Sequence, residues 1–326
     1  MSIGGPGRDP SPACHGPRPA QHCRPFESDE YGRLETPSGK TAGDENFPVG
    51  SFLIRPALRR HVHAFYRFAR AADDVADNPA LAPDDKLERL ARMAAIVKGE
   101  TTGDEAMAQS PGAVAVRQSL VETGVTLQHC LDLLAAFSQD SVKTRYRDWS
   151  ELLAYCHLSA APVGRHLLDL HGEGTACRAA SDALCNALQV VNHLQDCGED
   201  YRTLDRVYVP EADLAAEGAT VEMLGEARLT PALRRTLDRV IRPLDALNEA
   251  SRDIVLLVDD TRIALECRVI RTLCVRLTER LRREDPLATR IRLSKPMAGW
   301  LSLGAVVAGL IERRRRPAPP RPALAR

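Results

Sequence analysis

Apolar residues recur at intervals of three and four along most of this chain, as in LERLARMAAIV (87–97) and LDLLAAF (131–137). That interval lines them up on one face of an α-helix, whereas a half-buried strand needs an interval of two. Almost no stretch has the strand period. The spacing predicts helices over roughly 56–77, 84–98, 112–123, 126–139, 149–171, 176–203, 230–256 and 260–284, with further short or terminal pieces. Residues that open helices stand at several of these starts: Pro83, Thr126 and the pair Thr230-Pro231. Pro162 falls inside the helix expected over 149–171 and should kink it. The expectation is an all-α, single-domain helical bundle.

Composition sets its limits. Residues 1–44 hold seven prolines and almost no apolar runs, too little buried surface to offset chain entropy, so they read as a disordered leader. An all-α domain should occupy 45–295. Next comes PMAGWLSLGAVVAGLI (296–311), sixteen uncharged residues. As a helix it extends about 24 Å, short of the roughly 20 residues a spanning segment needs. Three readings stand for 296–312: a buried last helix, an interfacial helix with Arg313–Arg316 at the headgroups, or a short anchor. The tail RRRRPAPPRPALAR (313–326) is basic and proline-rich, either solvated or touching anionic lipid. Lys+Arg and Asp+Glu are both 44, which gives no argument for a nucleic-acid partner. Nine cysteines without a CxxC spacing fit a reducing compartment. The first residues lack the apolar core of a signal peptide. Cytoplasm is the expectation, with peripheral contact at the inner membrane left open.

One stretch is costly to fold. HAFYRFARAADDVADN (63–78) places Tyr66, Arg70, Asp73 and Asp77 at spacings of four, three and four. On a helix these fall within about 60° of one another. Like charges one turn apart repel, weakly in water and strongly when desolvated, and Phe65, Phe68, Ala72 and Val75 mark this helix as largely buried. A surface face with acids paired to arginines would explain the stretch equally well. A second one repeats the pattern. In LQVVNHLQDCGEDYRT (188–203), Gln189, Asn192, Asp196 and Asp200 follow at three, four and four. Two helices thus each offer a carboxylate pair, and facing each other they would form a strongly anionic wall. Such carboxylates suit a hard cation, and Mg²⁺ is usually held by one or two carboxylates plus substrate phosphates. Arg70 would add a bidentate donor to a diphosphate. Asp74 and Glu199 adjoin the stripes, either as ligands or as solvent-facing residues.

Other chemistries are absent from the sequence. A ferritin-like di-iron bundle needs Glu-x-x-His pairs, and no Glu here has His three positions later. Neither a GxxxxGK[ST] loop nor a GxGxxG fingerprint occurs. His193, beside the second stripe, reads as packed or catalytic.

These motifs resemble the squalene/phytoene synthase family. YRFARAADDVAD and NHLQDCGED are similar to its two aspartate-rich motifs, YCHLSAAPVG (155–164) to its Tyr-Cys…Val-Gly segment, and RVYVP (206–210) to the stretch after the second motif. The resemblance runs from about Glu45 to the 280s, in the family's order. It implies an isoprenoid-synthase-type bundle around a central apolar cavity. Within the family, ENFPV (45–49) and NHLQD look most like the hydroxysqualene synthase branch of bacterial hopanoid biosynthesis. The family's usual serines and basic residue before Phe47 are here Glu45 and Asn46, and Gln195 stands where an arginine usually precedes the first aspartate of the second motif. Both changes remove diphosphate-binding character, which fits one ready-made substrate, presqualene diphosphate, better than two farnesyl diphosphates.

The resemblance further implies Mg²⁺ on Asp73, Asp77, Asp196 and Asp200, with no NADPH. It implies catalytic roles for Tyr66, Tyr155 and Asn192, and substrate contacts from Asn46, Phe47, Tyr66, Arg70, Gln189 and Asn192. For Tyr155 a core tyrosine with a satisfied hydroxyl is the alternative; for Ala160, Ala161 and Gly164 it is close helix packing. Two other functions remain open: head-to-head condensation of two prenyl diphosphates, and a non-catalytic relative acting as a scaffold. A product this apolar also suggests membrane handover to a neighbouring enzyme.

Overall fold

Local sequence sets several helix starts. Thr230 accepts from the Leu233 amide at 3.2 Å with Pro231 in the first turn, and Asp148 accepts from the Glu151 amide at 3.0 Å. In both, a side chain satisfies an amide that the helix start leaves unpaired. The computed structural model describes residues 33–37 and 53–315. Among these it forms α1 (Arg59–Asp77), α2 (Pro83–Lys98), α3 (Gly103–Gln109), α4 (Pro111–Thr123), α5 (Gln128–Asp140), α6 (Trp149–Ser159) and α7 (Ala161–Leu170). The series continues with α8 (Arg178–Leu204), α9 (Glu211–Ala216), α10 (Pro231–Ala250), α11 (Ile254–Leu257), α12 (Thr261–Arg283) and α13 (Lys295–Arg314). The described residues contain no strand, only one isolated parallel bridge, Arg145 to Val207. The all-α expectation holds.

Two expected helices are divided. The one over 149–171 breaks at Ala160, whose backbone (φ −123°, ψ −45°) leaves the helical region, and Pro162 opens α7 immediately after. The missing proline donor thus falls in a first turn, where no intrahelical partner is lost. The one over 230–256 stops at Ala250, and four residues of α11 resume at Ile254.

Two apolar cores result. One gathers α1, α2, α4 and α5 around Phe68, Leu90, Met93 and Leu133. The other gathers α6, α8, α10 and α12 around Leu194, Leu237, Ile241 and Leu281. Part of the expected leader joins the first. Leu34 is buried, and Glu35 Oε1 accepts from Ser110 Oγ at 2.6 Å and the Gly112 amide at 2.9 Å, closing the start of α4. Packing therefore begins before Glu45.

The last helix is not buried. α13 lies against α12 through small residues, Ala305 and Gly309, with Leu301 and Val306 half-buried beside them, while Trp300, Leu303, Val307, Leu310 and Ile311 face outward. No helix of the described residues is long and apolar enough to cross a membrane.

Candidate active site

A cavity of about 520 Å³ lies between α1 and α8. Val62, Phe65, Phe137, Leu168, Leu184, Leu188 and Ile270 make its wall largely apolar, and both polar stripes open onto it. Tyr66, Arg70, Asp73 and Asp77 reach it from α1; Gln189, Asn192, Asp196 and Asp200 reach it from α8; Tyr155 reaches it from α6. Glu199 is exposed, and Asp74 is buried beneath Arg70. Asn46 and Phe47, with Glu45, lie outside the described residues. A groove of about 550 Å³ between α2 and α3 is lined mainly by charged residues and has no apolar wall.

Burial makes the acids reluctant to ionise. It pushes Asp73 up to about 8, reinforced by Asp77 and opposed by Arg70. It pushes Asp200 up to about 7, reinforced by Asp196 and Asp77, and raises Asp196 against the pull of Arg290. Arginines compensate part of this charge. Arg70 donates from Nε and Nη2 to Asp74 Oδ1 at 3.0 and 2.6 Å and pairs with Asp73 at 3.0 Å. Its fork is therefore turned to its own helix rather than held open. Arg290 sits 3.1 Å from Asp196.

Sequence reasoning missed three groups. Asp205 ends α8 with a left-handed backbone (φ 51°), which turns the chain back along Arg145, with the Val207 amide bonded to Thr144 O at 2.9 Å. This strap drives Arg206 inward, where it donates to Asp77 Oδ1 at 2.5 Å and Ala76 O at 2.9 Å. Arg206 thus joins the end of α1 to the end of α8. Tyr208 follows and donates to Asp140 Oδ1 at 3.1 Å, while Tyr155 donates to Asp140 Oδ2 at 2.5 Å. Burial pushes Asp140 up to about 6, opposed by Arg206 and by the two hydroxyls. Tyr155 is thus satisfied and cavity-lining at once. The RVYVP stretch was visible in the sequence; Asp140, a lone acid ending an apolar helix, was not flagged by any pattern.

One expectation needs adjusting. Gln195 does not line the cavity: it is buried, and its amide donates to Ile291 O. His193, left open between packed and catalytic, lines the cavity and stacks on Tyr208 with ring centroids 3.5 Å apart; burial lowers it to about 3, which leaves it neutral.

No group of three or more His, Cys, Asp or Glu side chains is gathered for one ion among the described residues. Carboxylate pairs that stay short of a full cage fit Mg²⁺, which draws its remaining ligands from water and substrate phosphate. Buried acids with raised pKa fit a site completed by a cation.

A family-wide profile for squalene/phytoene synthases matches residues 40–297. The chain belongs to the squalene/phytoene synthase family. It is 44% identical to a hydroxysqualene synthase from Rhodopseudomonas palustris over 86% of this chain and 94% of that protein. It is 43% identical to one from Zymomonas mobilis over 83% and 89%. A squalene synthase structure from Alicyclobacillus acidocaldarius superposes with a TM-score of 0.64 at 31% identity, covering 74% of this chain and 90% of that one. A dehydrosqualene synthase at 21% identity and TM-score 0.67 shares the fold. The chain is an enzyme of this family, most similar to its hydroxysqualene synthases, and the scaffold alternative is set aside.

Proposed function

We propose that this enzyme converts presqualene diphosphate to hydroxysqualene. The observation that carries the reading is the pair of acidic stripes opening onto one apolar cavity, in a chain 43–44% identical to hydroxysqualene synthases. Asp73, Asp77, Asp196 and Asp200 would hold Mg²⁺. When bound, Mg²⁺ supplies charge stabilisation to the departing diphosphate. Arg70 would exchange an aspartate partner for a diphosphate oxygen, which its planar fork suits. Tyr66, Gln189 and Asn192 orient the diphosphate and the adjoining carbons. Tyr155, fixed by Asp140, presents its ring to the carbocation; Asn46 and Phe47 complete the proposed substrate contacts. The apolar wall excludes bulk water while the cyclopropylcarbinyl cation rearranges to an allylic one. One water then adds and releases a proton. The balance is presqualene diphosphate plus water giving hydroxysqualene, diphosphate and a proton, with no NADPH. The reading places the enzyme in the cytoplasm, handing its product on at the membrane.

A product assay tests this. Purified protein with Mg²⁺ receives presqualene diphosphate or farnesyl diphosphate in ¹⁸O water, with and without NADPH. Hydroxysqualene carrying ¹⁸O from presqualene diphosphate alone is the expected result. Consumption of farnesyl diphosphate in its place would overturn the reading in favour of head-to-head condensation.

A further inference from the structure

A helix on the surface of a soluble domain normally turns its large apolar residues inward. α13 does the reverse. Trp300 is 75% exposed, Leu303 58% and Val307 50%, with Leu310 and Ile311 also outward, while Ala305 is only 4% exposed. At 100° per residue the five outward side chains share one face of about 100°. No acidic residue falls on it: Glu312 turns inward to Arg268 at 2.9 Å.

The helix is fixed in this orientation. Arg313 donates to Val255 O at 2.7 Å, Val258 O at 2.6 Å and Asp259 O at 2.7 Å, closing the end of α11. A Cβ on Gly309 would stand 2.8 Å from Leu265 Cδ2, so the inward side approaches α12 as closely as glycine allows. The outward face is therefore held out, not left loose. Both ends of the helix are basic and exposed: Arg292 and Lys295 at its start, Arg314 and Arg315 at its finish.

We propose that the outer face of α13 is a docking surface for an anionic lipid bilayer, with the helix lying in the plane of the interface. Charge complementarity decides the occupant. A continuous apolar face with a tryptophan, bounded by cations and free of acids, matches an apolar layer beneath anionic headgroups. The tryptophan suits the boundary itself, where such rings concentrate. At about 30 Å for twenty residues, the helix contributes a contact line along its whole length. The surface lies on the side of α12 away from the cavity-lining Ile263, Cys267 and Ile270, so docking leaves the catalytic residues untouched. This inference names the membrane contact of the proposed function but requires no turnover to test.

Flotation of the full chain with vesicles gives the test. One set is phosphatidylcholine alone and the other is equal parts phosphatidylcholine and phosphatidylglycerol. The wild-type protein should float with the anionic set and much less with the zwitterionic set. Leu303→Glu with Val307→Glu should lower the partition coefficient by roughly 100-fold, as loss of two buried apolar side chains implies. Arg314→Gln with Arg315→Gln should weaken it several-fold and reduce its salt dependence. Val121→Glu, at an exposed valine on α4, is the control and should change nothing. Circular dichroism confirms that each variant is folded. Absence of wild-type flotation, or equal flotation of the Leu303/Val307 variant, would overturn the proposal. So would a dimer in sedimentation that this variant dissociates without any effect on vesicles, since the face would then join two copies.

Discussion

The two acidic helices of the cavity carry the same pattern of side chains but are neutralised differently. On α1, Asp73 and Asp74 share Arg70, and Asp77 has Arg206 at 2.5 Å. On α8, among the described residues, Asp196 pairs directly with the half-exposed Arg290 alone and Asp200 forms no ion pair, with Arg292 and Arg206 acting on them at longer range. One wall is thus braced by the protein's own arginines, whereas the other depends more on what enters. The contrast shows how a fold tolerates a buried acidic patch. It balances enough charge to keep the helices packed and leaves the remainder as binding capacity.

The largest expected effect comes from removing carboxylates. Asp73→Asn or Asp200→Asn should each lower kcat/KM by roughly 10³-fold, as loss of a contact to the departing charge typically does. Stability should separate Asp200→Asn from a third variant, Asp77→Asn, which sharpens the comparison. Asp200→Asn removes a half-buried carboxylate that has no direct ion pair among the described residues, only the longer-range pull of Arg206, and should raise Tm at pH 8. Asp77→Asn strands Arg206, whose side chain is only 7% exposed, and should lower Tm by several degrees. Thermal denaturation of both at one pH tests this.

The acids also set a pH dependence. With chelator present, Asp73 ionises near 8 and Asp200 near 7, against an ordinary 3.8. Between pH 4 and these values the unfolded chain ionises while the folded one holds its protons, so stability falls as pH rises through that window. Mg²⁺ binds the ionised form, so the rise in Tm that it produces should be larger at pH 8 than at pH 6. Scanning calorimetry with Mg²⁺ and with chelator measures the difference.

A smaller effect concerns the cavity wall. A Cβ at Gly164 would stand 2.6 Å from both Cys185 Sγ and Ser181 Oγ. Gly164→Ala should therefore push α7 from α8 and destabilise the fold by about 1–3 kcal/mol, measured by urea denaturation. The smallest change should come from Tyr208→Phe, which removes one of two hydroxyls on Asp140. It should lower kcat a few-fold with KM nearly unchanged, since Tyr155 keeps its own bond to Asp140.

What the sequence made legible follows from period. Asp73 with Asp77, and Asp196 with Asp200, are one turn apart, so a helix places each pair on one face whatever surrounds it. The apolar repeat gave the helices for the same reason. Asp140, Arg206 and Tyr208 escaped because their partners are distant: Arg206 meets Asp77 across 129 residues and Tyr208 meets Asp140 across 68. No local rule brings these together; the left-handed turn at Asp205 does. Gln195 shows the converse limit. Its position within the second motif suggested a place in the pocket, but one residue before Asp196 is a step of 100° around the helix, which turns it toward Ile291. The outward face of α13 also lay beyond composition alone, since an apolar run reads the same buried or exposed.

The central claim is that α1 and α8 form one Mg²⁺-diphosphate site. Calorimetric titration of inorganic diphosphate into the full chain, with and without Mg²⁺, tests it most directly, using the wild type, Asp73→Asn and Asp200→Asn. The account predicts binding that requires Mg²⁺ and is lost in either variant, because neither helix alone completes the site. Mg²⁺-independent binding, or binding that survives loss of one wall, would contradict it.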